Sequence, residues 1–111
     1  MIEEYEFGKI VIDGETYTDD VIIIEGKVYP EWWREQGHFL QKIDLGPILE
    51  AKIHTLIIGT GHDGVMKVGE DVQKYCKEEG IKLIALKSGE AVDKCNEIMG
   101  KGVAAGIHLT C

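Results

Sequence analysis

HTLIIGTGHDG, running from His54 to Gly64, decides how this chain is read. A short apolar strand enters a glycine-rich turn directly. The turn spells G-x-G-x-x-G at Gly59, Gly61 and Gly64, the spacing of a dinucleotide-binding fingerprint. Two features oppose that use. The chain has 111 residues, too few for two mononucleotide-binding halves. Val65, Met66, Lys67 and Val68 also separate the turn from the next helical pattern, which starts near Gly69. What remains is a backbone-exposing turn at the carboxyl end of a strand, where ligands of α/β sheets bind. Consecutive amides of Gly59, Thr60 and Gly61 can form an anion-binding nest. The competing reading is a tight turn that needs glycine for positive φ.

Downstream the pattern stays β/α. A helix over 69–79 shows Val72, Tyr75 and Cys76 on one face, with Gly80 as its C′ residue. IKLIAL follows as a buried strand. Ser88 is then placed as the cap of a second helix, whose apolar arc holds Ala91, Val92, Cys95, Ile98 and Met99. Asn96 lies at the edge of that arc and is read as bonding a neighbouring backbone, bracing the site. GVAAGIHLT closes the chain with small or apolar residues on both faces, as in a doubly covered strand.

Upstream the pattern is antiparallel. Asp13-Gly14 and Glu25-Gly26 are hairpin turns, so residues 5–29 read as a β-meander ended by Pro30. Residues 31–43 have no period. Asp44 is placed as the N-cap of a short helix with Pro47 in its first turn. The expected architecture is one α+β domain, residues 1–111, with the meander packed on a β/α half.

The charge of −8 lies wholly in the first half: residues 1–50 hold 12 acids and 4 bases, residues 51–111 hold 8 of each. Such a surface repels phosphate backbones and anionic membranes, which argues against both as partners. No apolar run reaches the roughly 20 residues of a membrane span. The acidic start MIEEYEFG resembles neither a secretory signal nor a transit peptide, so the expected location is cytoplasmic. Three cysteines, Cys76, Cys95 and Cys111, make no disulfide framework, and the first two fall on apolar helix faces.

Three segments in order point to a family: W-W-R-x-x-G-H at Trp32, Trp33, Arg34, Gly37 and His38; I-I-G-T-G at Ile57 to Gly61; and V-A-A-G-I-H-L-T-C from Val103 to Cys111. The A-V-D-K-C-N helix ending at Asn96 adds a fourth. Over nearly its whole length the chain resembles a former domain-of-unknown-function family that includes the adipogenesis-associated proteins and a mitochondrial NADH dehydrogenase assembly factor. The resemblance implies a three-layer fold with a central mixed sheet and a C-terminal strand antiparallel to its neighbours. It implies no reaction.

Candidate chemistry gathers in one hypothetical pocket: Trp33, Arg34 and His38 from the irregular segment, Gly59, Thr60 and Gly61 from the turn, and His108 from the last strand, sharing a face with Thr110. Arg34 beside aromatic rings suits an anion while stacking on indole. Alternatively the Trp pair seals the core edge and Arg34 pairs with an internal acid. His108 and Cys111 point to opposite faces of a regular strand, so no metal is expected, and no cofactor either. Cys111 as a nucleophile lacks a base nearby. The expected function is a non-enzymatic binding or assembly-type protein with a protein partner. The alternative is a binding protein or enzyme for a small anionic ligand that uses Arg34 and the Gly59–Gly61 turn. A homo-oligomer is compatible with either.

Overall fold

At Asp13-Gly14 (φ 49 and 82) and at Glu25-Gly26 (φ 50 and 88), both loop residues take positive φ. That is the two-residue turn whose twist matches paired strands, and it closes two hairpins. The computed structural model describes residues 1–111. Strands β1 (Ile2–Glu6), β2 (Lys9–Ile12) and β3 (Glu15–Tyr17) form an antiparallel sheet of their own. Strands β4 (Val21–Ile24) and β5 (Lys27–Tyr29) form the second hairpin but join a different sheet. The expected single meander is therefore divided between two sheets. The break falls at Thr18–Asp20, where the chain leaves one layer and enters the next.

A two-residue strand β6 (Phe39–Leu40) leads to a 3₁₀ helix, Lys42–Glu50, interrupted at Gly46 (φ 51). Asp44 lies inside this helix rather than at its cap. Its carboxylate accepts from the amides of Gln41 (2.9 Å) and Glu35 (3.1 Å) and so closes the preceding loop. Strand β7 (Thr55–Gly59), the short β8 (Lys67–Val68), helix α1 (Glu70–Glu78), strand β9 (Lys82–Leu86), helix α2 (Ser88–Ile98) and strand β10 (Val103–Ile107) complete the chain. Strand β6 pairs with β8.

The main sheet has the order β5-β4-β10-β7-β9. The last strand is interior, as its two apolar faces require. It is antiparallel to β4 but parallel to β7, which corrects the expectation for one of its neighbours. The reason is local: β7, β9 and β10 are each joined to the next through a helix and run together, whereas β4 belongs to a hairpin. Strand β9 is an edge strand and only half-buried, not buried as its sequence implied, because nothing pairs beyond it.

Alternation along the central strands divides the core in two. Ile23, Ile57, Ala105 and Ile107 face α2 and the three-stranded sheet, with Ile10, Ile12, Ala91 and Cys95. Ile22, Leu56, Ile58 and Ala104 face α1 and the 3₁₀ helix, with Leu45, Ile48, Val72 and Cys76. Three layers result. Asn96 exchanges two 2.8 Å hydrogen bonds with the backbone of Ile2, so it ties α2 to β1 rather than bracing the candidate site.

Candidate functional site

The carboxyl ends of β7, β9 and β10 and the start of β4 meet at one end of the main sheet. Residues from five distant parts of the chain converge there. Beyond Ile107 the last strand loses its ladder. His108 donates its amide to Gly59 O (3.0 Å), and the Leu109 amide donates to Asp20 Oδ1 (2.7 Å). His108 is buried and Thr110 exposed, so the two do not form a common buried polar wall.

Arg34 is the centre of this end, with a side chain only 4% exposed. Its Nη2 donates to Asp20 Oδ2 at 2.8 Å and to Gly37 O at 3.1 Å. His108 Nδ1 lies 2.8 Å from the same Asp20 oxygen and 3.0 Å from Arg34 Nη2. Two donors converge on one carboxylate oxygen: an Nδ1 proton goes to the acceptor, and the Arg34–His108 approach follows from sharing it. Burial alone would raise the Asp20 carboxyl. Hydrogen bonding from His108, the Leu109 amide, the His108 charge and Arg34 outweigh it and hold Asp20 below the ordinary value. The anion that Arg34 meets is thus internal. Arg34 Nε and Nη1 and His108 Nε2 are buried without partners.

Arg34 stacks on indole as its neighbourhood implied, but on Trp32, whose ring centre is 4.6 Å from Cζ. Trp32 is buried. Its Nε1 donates to Asp44 O at 2.7 Å, and its ring lies against Gly106, where a Cβ would come within 2.7 Å of it. Trp33, expected to wall the pocket, points out instead and is 76% exposed. His38 is exposed, its ring centre 6.1 Å from that of His108.

The glycine turn is occupied by the chain itself. Thr60 gives both its amide (2.8 Å) and its hydroxyl (3.0 Å) to Leu86 O, and the Gly61 amide donates to Ser88 Oγ at 2.9 Å. The His62 amide donates to Thr110 O at 2.6 Å, and Val65 to Cys111 O at 3.0 Å. The Thr60 and Gly61 amides, two of the three expected to form an anion nest, are therefore already bonded within the chain, as is the neighbouring His62 amide. Ser88 is the first residue of α2 and caps nothing: its hydroxyl donates to His108 O while accepting from Gly61. The sequence reading does not name Asp20, takes Ser88 only as a helix cap, and offers Trp32 only as one of a pair sealing the core edge, with Arg34 paired to an internal acid, which is what Trp32 and Arg34 do. Asp20 carried one usable signal, an acid directly before a wholly apolar strand.

Two hollows open on either side of Trp33. One, about 330 Å³, is lined by Tyr29, Pro30, Trp32, Ile43 and Pro47 with acids at its rim. The other, about 400 Å³, is polar and lined by Thr18, Asp19, Asp20, Glu31 and Thr110. Glu31, Trp32 and Trp33 belong to both.

Fold and site together define a three-layer α+β protein whose parallel-strand end is closed by its own last residues. This chain belongs to the family described as protein of unknown function (DUF498/DUF598), whose model matches residues 2–109. Similar solved structures include the conserved hypothetical protein PH1505 from Pyrococcus horikoshii OT3, 27% identical over 100% of this chain and 99% of that one, with a TM-score of 0.86. The protein MT938 is 27% identical, with 100% and 98% covered and a TM-score of 0.78. An outer membrane protein from Bartonella henselae, 23% identical with 99% and 94% covered and a TM-score of 0.83, shares the fold. In this chain no helix is long and apolar enough to cross a membrane.

Proposed function

We propose that this chain is a non-enzymatic binding module of the assembly type, which takes a protein partner on the face around Trp33. The exposure of Trp33 carries the reading. Trp32 and Arg34, on either side, are anchored in the fold through Asp44, Gly106 and Asp20. The intervening indole is therefore held outward by two fixed neighbours. A large aromatic presented on a rigid backbone loses little freedom on binding, and tryptophan is among the side chains that dominate interfaces. Ile43, 73% exposed, extends the apolar surface beside it. On this reading the buried Arg34–Asp20–His108 group does positioning rather than chemistry.

Photo-crosslinking from position 35, next to the groove, tests this in the cells that make the protein. The expected result is a discrete partner whose yield falls at least tenfold in Trp33→Ser, a drop of about 1.4 kcal/mol or more, with the thermal melt unchanged. Equal capture by Trp33→Ser overturns the reading, as does capture no greater than from position 93 on α2, in the opposite layer.

A second reading places a small anion at Arg34, and the unpartnered Nε and Nη1 atoms favour it. Heat on titrating phosphate or acetate into the protein, absent from Arg34→Lys, supports that alternative. No heat removes it.

A further inference from the structure

We infer that the segment taken by this face is basic as well as apolar: an apolar side chain packs beside Trp33 in the groove of Tyr29, Ile43 and Pro47, and lysine or arginine lies in the notch of Asp19 and Glu31. The inference rests on the docking reading above and gives the partner its chemistry.

The argument is one of charge. Across both hollows every ionisable carboxylate or amine that lines the surface is acidic: Asp19, Asp20, Glu31, Glu35 and Asp44. No lysine, arginine or histidine lines either one. Asp20 is paired with Arg34 and hydrogen-bonded by His108, and Asp44 is spent on backbone amides. Asp19, Glu31 and Glu35 are exposed and stand in no ion pair. Glu31 sits at the junction of the two hollows, directly beside the tryptophans. An apolar groove bordered on one side by unpaired acids matches a segment that brings an apolar side chain and a cation together.

The same charges disfavour the other occupants. A second copy using this face would bring two sets of unpaired acids together. An acidic segment or a nucleic acid would meet the same repulsion. Complementary charge also speeds encounter and selects against wrong partners.

Three short fluorescent peptides of equal apolar content, flanked by lysine, by glutamine or by glutamate, provide the probe, read by anisotropy against the full chain. The lysine peptide is expected to bind at least tenfold more tightly than the glutamate peptide. Raising salt from about 0.05 to about 0.5 M should weaken it several-fold, as the Debye length shrinks. Glu31→Gln with Glu35→Gln should remove most of that preference, and Trp33→Ser should remove binding of all three peptides. If all three bind equally and depend on Trp33, docking stands and the basic partner is refuted. If none depends on Trp33, both are refuted. A concentration-dependent dimer in sedimentation that Trp33→Ser abolishes replaces the basic segment with a second copy.

Discussion

Removing the charge of Asp20 should cost this protein a large share of its stability. Asp20→Asn keeps the shape and leaves a carbonyl oxygen for the Leu109 amide. It strands the Arg34 guanidinium, whose side chain is 4% exposed and which meets no other carboxylate within bonding distance. Two unit charges 2.8 Å apart attract by about 6 kcal/mol at an effective dielectric of about 20. Some of that is recovered when the lost partner no longer has to be desolvated, and Gly37 O still accepts from Arg34. Removing one partner of a buried pair typically costs about 3–5 kcal/mol. We expect the lower part of that range, about 3 kcal/mol, from equilibrium urea unfolding followed by circular dichroism. Removing both members of the pair, in Asp20→Asn with Arg34→Met, should recover much of the loss, since an apolar side chain there packs on Trp32 and neither member is left as a stranded charge. A loss below about 1 kcal/mol for Asp20→Asn would put the pair in the class of solvated surface bridges. It would refute the view that Arg34 is held by an internal anion. A double variant as unstable as the sum of the two singles would refute the coupling.

Three further measurements follow from the same geometry. Because the folded Asp20 carboxyl is held below its ordinary value, its contribution is complete above the unfolded pKa of about 3.9 and is lost as pH falls through the folded value; stability measured against pH should decline in that acid window, and Asp20→Asn should lack this component. Gly106→Ala pushes a methyl into the Trp32 ring, so it should destabilise by about 1–3 kcal/mol and shift the Trp32 emission, whereas Gly89→Ala, with only the Tyr5 ring edge at 3.6 Å, should be mild. Thiol labelling of the native protein should modify Cys111 readily and leave Cys76 and Cys95 protected until denaturant is added, since both are buried and the Cys95 thiol is pushed up to about 12.

Much of the fold was legible because the relevant signals are local. The Asp-Gly and Glu-Gly turns, the uninterrupted apolar runs of β7 and β10 and the arc of α2 each follow from short-range sterics and periodicity. What could not be read locally was which sheet each hairpin joins, and the direction of the last strand relative to both neighbours. Those depend on pairing between residues some 80 apart, such as Ala105 with Ile23. The candidate site divided in the same way. Arg34, His108 and Gly59 do come to one end of the sheet, as their types and positions implied. Trp32 and Trp33 could not be told apart, because the irregular segment has no period from which to assign an inward face. Asp20 is 14 positions from Arg34 and 88 from His108, and no spacing rule connects them.

The glycine motif shows how a pattern with one familiar cause can have another. Each of its three glycines answers to a different constraint. At Gly59 a Cβ would come within 2.9 Å of Ser88 Oγ and 3.3 Å of the Ala91 methyl, so glycine there lets α2 approach the end of β7. At Gly61, with φ 107, a Cβ would overlap the Cys111 backbone, so glycine lets the tail pass. At Gly64, with φ 72, the constraint is the backbone conformation itself, beside the Lys87 side chain. In a dinucleotide site the corresponding glycines let a pyrophosphate approach the turn and a helix pack on the strand. Here the helix requirement survives, but the backbone of residues 110 and 111 packs against Gly61, and their carbonyls take the amides of His62 and Val65. The turn is thus a clasp for the chain's own tail. That leaves the exposed Trp33, rather than the glycine turn, as the feature on which the docking proposal rests.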